Sequence, residues 1–177
     1  KEERDLVETA RRNAEQTYRS RYEREIQQRE LLEDLQERLD LQHLPVSIEC
    51  YDISNLQGDQ IVASKVSFRE AEPDKEGYRH YKMREVDSQD DFASMREVLE
   101  RRLRKVADGA EEAPDLLVID GGKGQLGRAT AVLEQFGLPQ IDVIALAKSR
   151  DERIGPDSFE TTRSPERIFR PDRSDPV

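Results

Sequence analysis

Leu116-Leu117-Val118-Ile119-Asp120-Gly121-Gly122-Lys123-Gly124-Gln125-Leu126 is the stretch on which the reading of this chain turns. The apolar run at residues 116–119 follows a polar loop at 108–114 and has the pattern of a strand buried on both faces. Glycines come next. A periodic segment at 123–136 then places Leu126, Ala129, Leu133 and Phe136 on one helical face, with Gly137 as its stop. Residues 141–146 form a second buried run. Strand, helix and strand in this order make a right-handed βαβ unit. Sites in such sheets form outside the carboxyl ends of the parallel strands. Asp120 stands just after the first of these strands and Lys148 just after the second.

Working toward the N-terminus, a helix capped by Asp90 or Asp91 carries the apolar stripe Phe92, Met95, Leu99 and Leu103. Arg96, Arg101, Arg102, Arg104 and Lys105 are expected on its outer face. Before it come three strands. In residues 46–52, Val46, Ile48, Cys50 and Asp52 alternate with Ser47, Glu49 and Tyr51. A turn with Gly58 spans 55–59, and Val62, Ser64, Val66 and Phe68 alternate next. A polar loop at 70–77 precedes the third strand at 78–83. Short connections predict an antiparallel meander. The expected fold is therefore α/β: a mixed sheet, antiparallel meander plus parallel strands, flanked by helices.

Residues 1–42 contain no Gly or Pro and predict a long N-terminal helix. Leu6, Ala10, Ala14, Tyr18, Tyr22 and Ile26 recur every four residues, a spacing that drifts by about 40° per step and winds around the helix. Leu32, Leu35 and Leu39 hold one face. The helix is expected to be exposed in its first half and docked in its second, with a short coiled coil as the alternative. Glu25 with Arg29, and Asp34 with Arg38, offer i,i+4 pairs. Residues 149–177, rich in Pro, Arg, Asp, Glu and Ser, show no period and are read as an extended loop. The chain divides into a helical segment, 1–44, and a domain, 45–177.

Of 177 residues, 34% are hydrophobic and 38% charged, which predicts one packed region with solvated segments around it. A single cysteine excludes an internal disulfide and a cysteine metal cluster. No apolar run nears the roughly 20 residues that span a bilayer, and the start is not a secretory signal. No membrane partner and a cytoplasmic location are expected. The net charge of -10 argues by itself against a nucleic-acid partner unless a local cationic path exists.

Such a path has candidates. Tyr78-Arg79-His80-Tyr81-Lys82 interleaves aromatic and basic residues and could track a phosphate backbone through Arg79 and Lys82; an ordinary strand with a cationic face is the alternative. Gly121, Gly122, Lys123, Gly124 and Gln125 open a helix, where backbone N–H groups can approach a phosphate. A tight turn without a ligand is the alternative here. The Walker pattern fails, because Gly124 follows Lys123, and ATP binding is disfavoured. If the first strand lies parallel to the 116–119 strand, Asp52 and Asp120 become neighbours. Two such carboxylates repel unless a cation bridges them or one is protonated. Hard oxygen ligands suit Mg²⁺ or Mn²⁺. Either Asp alone is also an ordinary cap or turn former. His43 ends a helix, and Cys50 reads as core packing.

Several segments together resemble the C-terminal half of the UvrC family, the nuclease subunits of bacterial nucleotide excision repair. They are Ile48-Glu49-Cys50-Tyr51-Asp52-Ile53-Ser54-Asn55, Tyr78-Arg79 with Tyr81-Lys82, Asp90-Asp91-Phe92-Ala93-Ser94-Met95-Arg96-Glu97-Val98, and the run from Pro114-Asp115-Leu116 through Leu126. Ala145-Leu146-Ala147-Lys148 completes the set, and the match extends over nearly the whole chain. The resemblance implies a ribonuclease H-like fold and divalent-metal hydrolysis that cuts damaged double-stranded DNA 5′ to a lesion. It implies loading by UvrB, with UvrA upstream. The family's catalytic set is two Asp and one His. The Asp positions match Asp52 and Asp120, whereas the His segment is expected beyond Val177, so that the resemblance implies a C-terminally incomplete domain without the catalytic His. A catalytically inactive DNA- or partner-binding module of the same fold is the alternative.

Overall fold

A computed structural model describes residues 2–56, 60–82, 91–148, 151–153, 161–163 and 165–177. The chain opens with α1 (Glu2–Leu39), then forms β1 (Ser47–Leu56), β2 (Gln60–Arg69), the two-residue β3 (Glu72–Pro73) and β4 (Arg79–Lys82). The remaining elements are α2 (Asp91–Ala107), β5 (Leu116–Asp120), α3 (Lys123–Gln135), β6 (Asp142–Ala147), β7 (Asp151–Arg153), β8 (Thr161–Arg163) and β9 (Arg167–Phe169).

One mixed sheet organises the fold, in the order β3-β2-β1-β5-β6-β9 with β4 also on β2. The expected meander is present: β1, β2 and β4 pair antiparallel. The expected parallel set is present too, with β1 beside β5 and β5 beside β6. The first hairpin is longer than alternation predicts. Asn55, read as a turn residue, pairs with Ile61 inside the ladder; residues 57–59 of the expected turn lie outside those described.

Two departures have physical causes. The segment after 149, read as a loop, contains the hairpin β7–β8 and the edge strand β9, antiparallel to β6. Three residues are too few to show a period. Here tertiary pairing decides, because Phe169 is buried on one face of the sheet while Ile168 packs on the other. Inside the 70–77 loop, β3 and a 3-10 turn at Lys75–Gly77 also form.

Both sheet faces are covered. Tyr51, Leu117, Ile119, Val143 and Ala145 meet Met95, Leu99 and Leu103 of α2 and Leu126, Ala129 and Leu133 of α3. The side chain of Phe92, expected in the same stripe, lies outside those described. Gly137 closes α3 at φ 66, the left-handed conformation that glycine adopts most readily. On the opposite face Leu35 and Leu39 of α1 pack with Ile48, Leu116, Val118 and Ile144.

The first half of α1 stands in solvent, Tyr18 at 75% and Leu6 at 70% exposure, whereas Leu32 and Leu39 fall to 5% and 3%. Asp34 and Arg38 pair as expected, but Arg29 takes Glu33 and not Glu25. Leu39→Ala is therefore expected to cost about 2–5 kcal/mol, and Tyr18→Ala about 0.5 kcal/mol or less. Urea denaturation of the two variants checks this; equal costs would show that the docked half of α1 contributes nothing. No helix among the described residues is long and apolar enough to cross a membrane.

Candidate active site

Strand register builds the site. Tyr51 of β1 stands beside Ile119 of β5, and both side chains enter the core under α2 and α3. One residue further along each strand, alternation turns Asp52 and Asp120 to the other face. Neighbouring strands lie about 4.8 Å apart, so the two carboxylates project from adjacent positions. Leu35 and Leu39 of α1 cover the amino-terminal part of that face and leave the Asp52–Asp120 end open: both residues are partly exposed.

Lys148 follows β6 on the same face. Its Nζ lies 2.6 Å from Asp120 Oδ2, with the lysine side chain 73% and the aspartate 28% exposed. The hydrogen bond to Asp120 raises the Lys148 pKa, as do the charges of Asp120 and Asp52. One ammonium thus responds to both carboxylates. Among the described residues no group of three or more His, Cys, Asp or Glu gathers as metal ligands. The Asp pair still fits a hard cation of the Mg²⁺ type, which keeps several waters and needs only one or two carboxylates. The cation already drawn there, Lys148, marks the electrostatic demand of the pair.

The glycine turn joins this site to α3. Gly121 N–H donates to Leu146 O at 3.0 Å, tying the turn to β6. Gly122 caps α3, and Gln125 Oε1 accepts its N–H at 3.1 Å. A Cβ on Gly121 would fall 2.8 Å from Gln125 Cδ, which displaces that cap. The first turn of α3 has no acidic residue, and Asp120 stands just ahead of it, before the glycine turn. Lys123 lies over the Phe169 ring at 5.3 Å and donates to Ser174 O, which places it against the C-terminal segment. Arg79 and Lys82 are exposed two strands from Asp52, on β4. His43 is exposed before β1. Cys50 is half-buried, and burial, then the Glu49 charge, pushes its thiol up to about 11, which suits a packing role.

Sequence reading missed a buried charge cluster on the α2 side of the sheet. Glu49 Oε1 takes Lys65 Nζ at 2.7 Å and Arg102 Nη2 at 3.0 Å, and Tyr51 Oη donates to Glu49 Oε2 at 2.7 Å. Arg102, expected on the solvent face of α2, is 6% exposed. Its Nη2 also donates to Glu112 O at 2.7 Å, while Nη1 meets Glu111 Oε2 at 3.1 Å as an ion pair without hydrogen-bond geometry. Burial alone raises the Glu49 pKa, but the Arg102 and Lys65 hydrogen bonds and charges outweigh it, and the net direction is down.

A family model described as the UvrC RNase H endonuclease domain matches residues 36–177. UvrABC system protein C of Geobacter metallireducens is 50% identical over 97% of the chain, a stretch that makes up 28% of that relative. The protein of the same name from Anaeromyxobacter dehalogenans is 40% identical over 98% of the chain and 30% of its own length. The chain thus spans about a quarter of the length of the first of these relatives. Among solved structures, the catalytic domain of human endonuclease V is 18% identical with a TM-score of 0.42, covering 83% of this chain and 78% of that one. Ciona intestinalis endonuclease V in complex with an inosine-containing 24mer DNA is 16% identical with a TM-score of 0.42, covering 78% and 60%.

Proposed function

The chain belongs to the UvrC RNase H endonuclease domain family, and on that premise we propose that it hydrolyses phosphodiesters of damaged double-stranded DNA, making the 5′ incision of nucleotide excision repair with Mg²⁺ or Mn²⁺. The observation that carries this reading is the placement of Asp52 and Asp120 side by side on adjacent parallel strands, at the open end of a sheet whose other end is covered.

Asp52 and Asp120 are the residues that would hold the metal. The chemistry supplied by divalent ions at such a site is stabilisation of the attacking and leaving oxygens. The chain's own residues do the rest. The rigid strands fix both carboxylates, so no ordering is needed at the moment of reaction. Lys148 compensates the carboxylates through an exposed ion pair, a contact worth about 1 kcal/mol or less and readily exchanged. Once released, its ammonium is free to meet a phosphate oxygen. Gly121, Gly122, Lys123, Gly124 and Gln125 present the helix end beside Asp120. With Gly121 N–H held by Leu146 O and Gly122 N–H by Gln125 Oε1, the N–H groups that favour an anion are those of Lys123, Gly124 and Gln125 in the first helical turn. The proposed partners are the lesion-bearing duplex and UvrB, with UvrA acting earlier.

The test is incision of a duplex carrying one bulky adduct by the protein that bears this chain, loaded by UvrB. A Mn²⁺-dependent cut on the 5′ side, lost on chelation, is the expected result. DNA binding with no metal-dependent cut at that position would instead favour a binding module of the same fold.

A further inference from the structure

We infer that the nucleic-acid backbone leaves the Asp52–Asp120 centre across β1, β2 and β4, passing over Ser64 onto His80 and Lys82, while Arg79 and Tyr81 take no part. The inference rests on the nuclease reading and adds to it a direction and a set of contacts.

The ladder provides the path. Asp52 pairs with Ser64, and Ser64 pairs with His80. Directly paired residues on neighbouring strands share a face, so Asp120, Asp52, Ser64 and His80 form one row across the sheet. Two strand spacings, about 10 Å, separate Asp52 from β4. Lys82 lies two residues beyond His80 and therefore on the same face. Both are exposed, and Ser64 is half-buried. The alternate residues point the other way. Ala63 and Tyr81 pack in the core with Tyr51, and Lys65 is committed to Glu49.

The basic–aromatic segment is thereby sorted into two sides. Arg79 pairs with Lys65 on the α2 side, and its Nη1 is held by Glu76 O at 2.6 Å and Tyr78 O at 2.7 Å. Tyr81 sits under Arg101, whose guanidinium is 5.5 Å from the ring centre. On the open side, Ser64 Oγ lies 3.3 Å from His80 Nδ1. With the Ser64 hydroxyl donating to Nδ1, the ring proton resides on Nε2, which is then a donor for a phosphate oxygen. Ser64 acts as a positioning residue for that ring. The face offers Lys82 and a histidine N–H at one end and Lys148 at the other, with the proposed metal ligands between. This charge pattern suits a phosphodiester backbone and gives an acidic chain the local cationic path that its net charge of -10 obscures.

The experiment is equilibrium binding of a fluorescently labelled DNA duplex to the Asp120→Asn protein, which holds substrate uncut, over a series of salt concentrations. Lys82→Ala added to it is expected to weaken binding and to lower the slope of log K against log salt by about one, as loss of a single phosphate contact does. His80→Ala and Ser64→Ala are expected to weaken binding about fivefold, the loss of one hydrogen bond. Arg79→Ala is expected to change neither quantity. Salt-dependent binding whose slope survives Lys82→Ala, or falls equally with Arg79→Ala, overturns the path and leaves the nuclease reading standing. Absence of salt-dependent binding in the parent protein overturns both.

Discussion

Asp120→Asn is expected to lower incision on the order of 10³-fold or more while the thermal midpoint stays within a few degrees of the parent value. A metal at a reacting phosphate supplies several kcal/mol of charge stabilisation, and each 1.36 kcal/mol is about tenfold in rate. An amide keeps the shape of the carboxylate but removes its charge, so the cation proposed for this site would lose a principal ligand. Folding should scarcely respond. Asp120 ends its strand partly exposed, and its partner Lys148 is 73% exposed, a contact that contributes little. Removing one of two neighbouring like charges also relieves repulsion with Asp52. Asp52→Asn should behave in the same way. Single-turnover incision, Mn²⁺ titration and a melting curve on each variant separate the outcomes. An Asp120→Asn protein that is folded and cuts at the parental rate would falsify the metal role of this carboxylate. A protein that loses cutting and folding together would make Asp120 structural.

The part of the fold that carries this prediction was legible because its signals are local. Residues 116–119 announce a buried strand, the glycines announce a turn, and the stripe Leu126, Ala129, Leu133 announces a helix. Placing Asp52 beside Asp120 needed one further step, the parallel neighbourhood of β1 and β5, which the ladder Ile48–Leu116 through Tyr51–Ile119 bears out. Alternation along β1 does not report which side lies deeper. Val46, Ile48 and Cys50 share one face, yet on the other Tyr51 is 1% exposed and Glu49 5%. Both faces are covered, so polarity alone no longer reports burial. The strand β9 was illegible for another reason. Arg167-Ile168-Phe169 has no pattern of its own, and its conformation is set by the free edge of β6. Arg102 had a usable signal that its residue type concealed. At about 100° per residue it lies roughly 20° from Met95 on the helical wheel, in the middle of the buried stripe. A charged residue there calls for a buried partner, and Glu49 is that partner.

Arg102→Met tests this pairing and is expected to be the most destabilising of the substitutions considered. Methionine retains the apolar stem and removes the guanidinium. Glu49, 5% exposed, then keeps only Lys65 and Tyr51 as partners, and the Glu112 carbonyl loses a donor. Breaking a buried ion pair by removing one member costs about 3–5 kcal/mol, because a charge is left under-compensated away from water. For a domain of this size each kcal/mol moves the melting temperature by about 2–4 °C, so a fall of about 6–20 °C is expected. The pH dependence identifies the cause. In the parent protein the Glu49 pKa is lowered on folding, so its contribution is present above the unfolded carboxyl value of about 4.3 and is lost as pH falls through the folded one. In Arg102→Met the opposing burial effect gains weight and the Glu49 pKa moves up. The variant therefore loses less on acidification than the parent does. The gap between the two melting temperatures should be widest near pH 7 and should narrow as pH approaches 4. A gap that is constant across that range would assign the cost to lost packing of the arginine stem. A gap that is absent at pH 7 would show that Lys65 and Tyr51 alone satisfy Glu49, and that α2 is held to the sheet by Met95, Leu99 and Leu103 without help from charge.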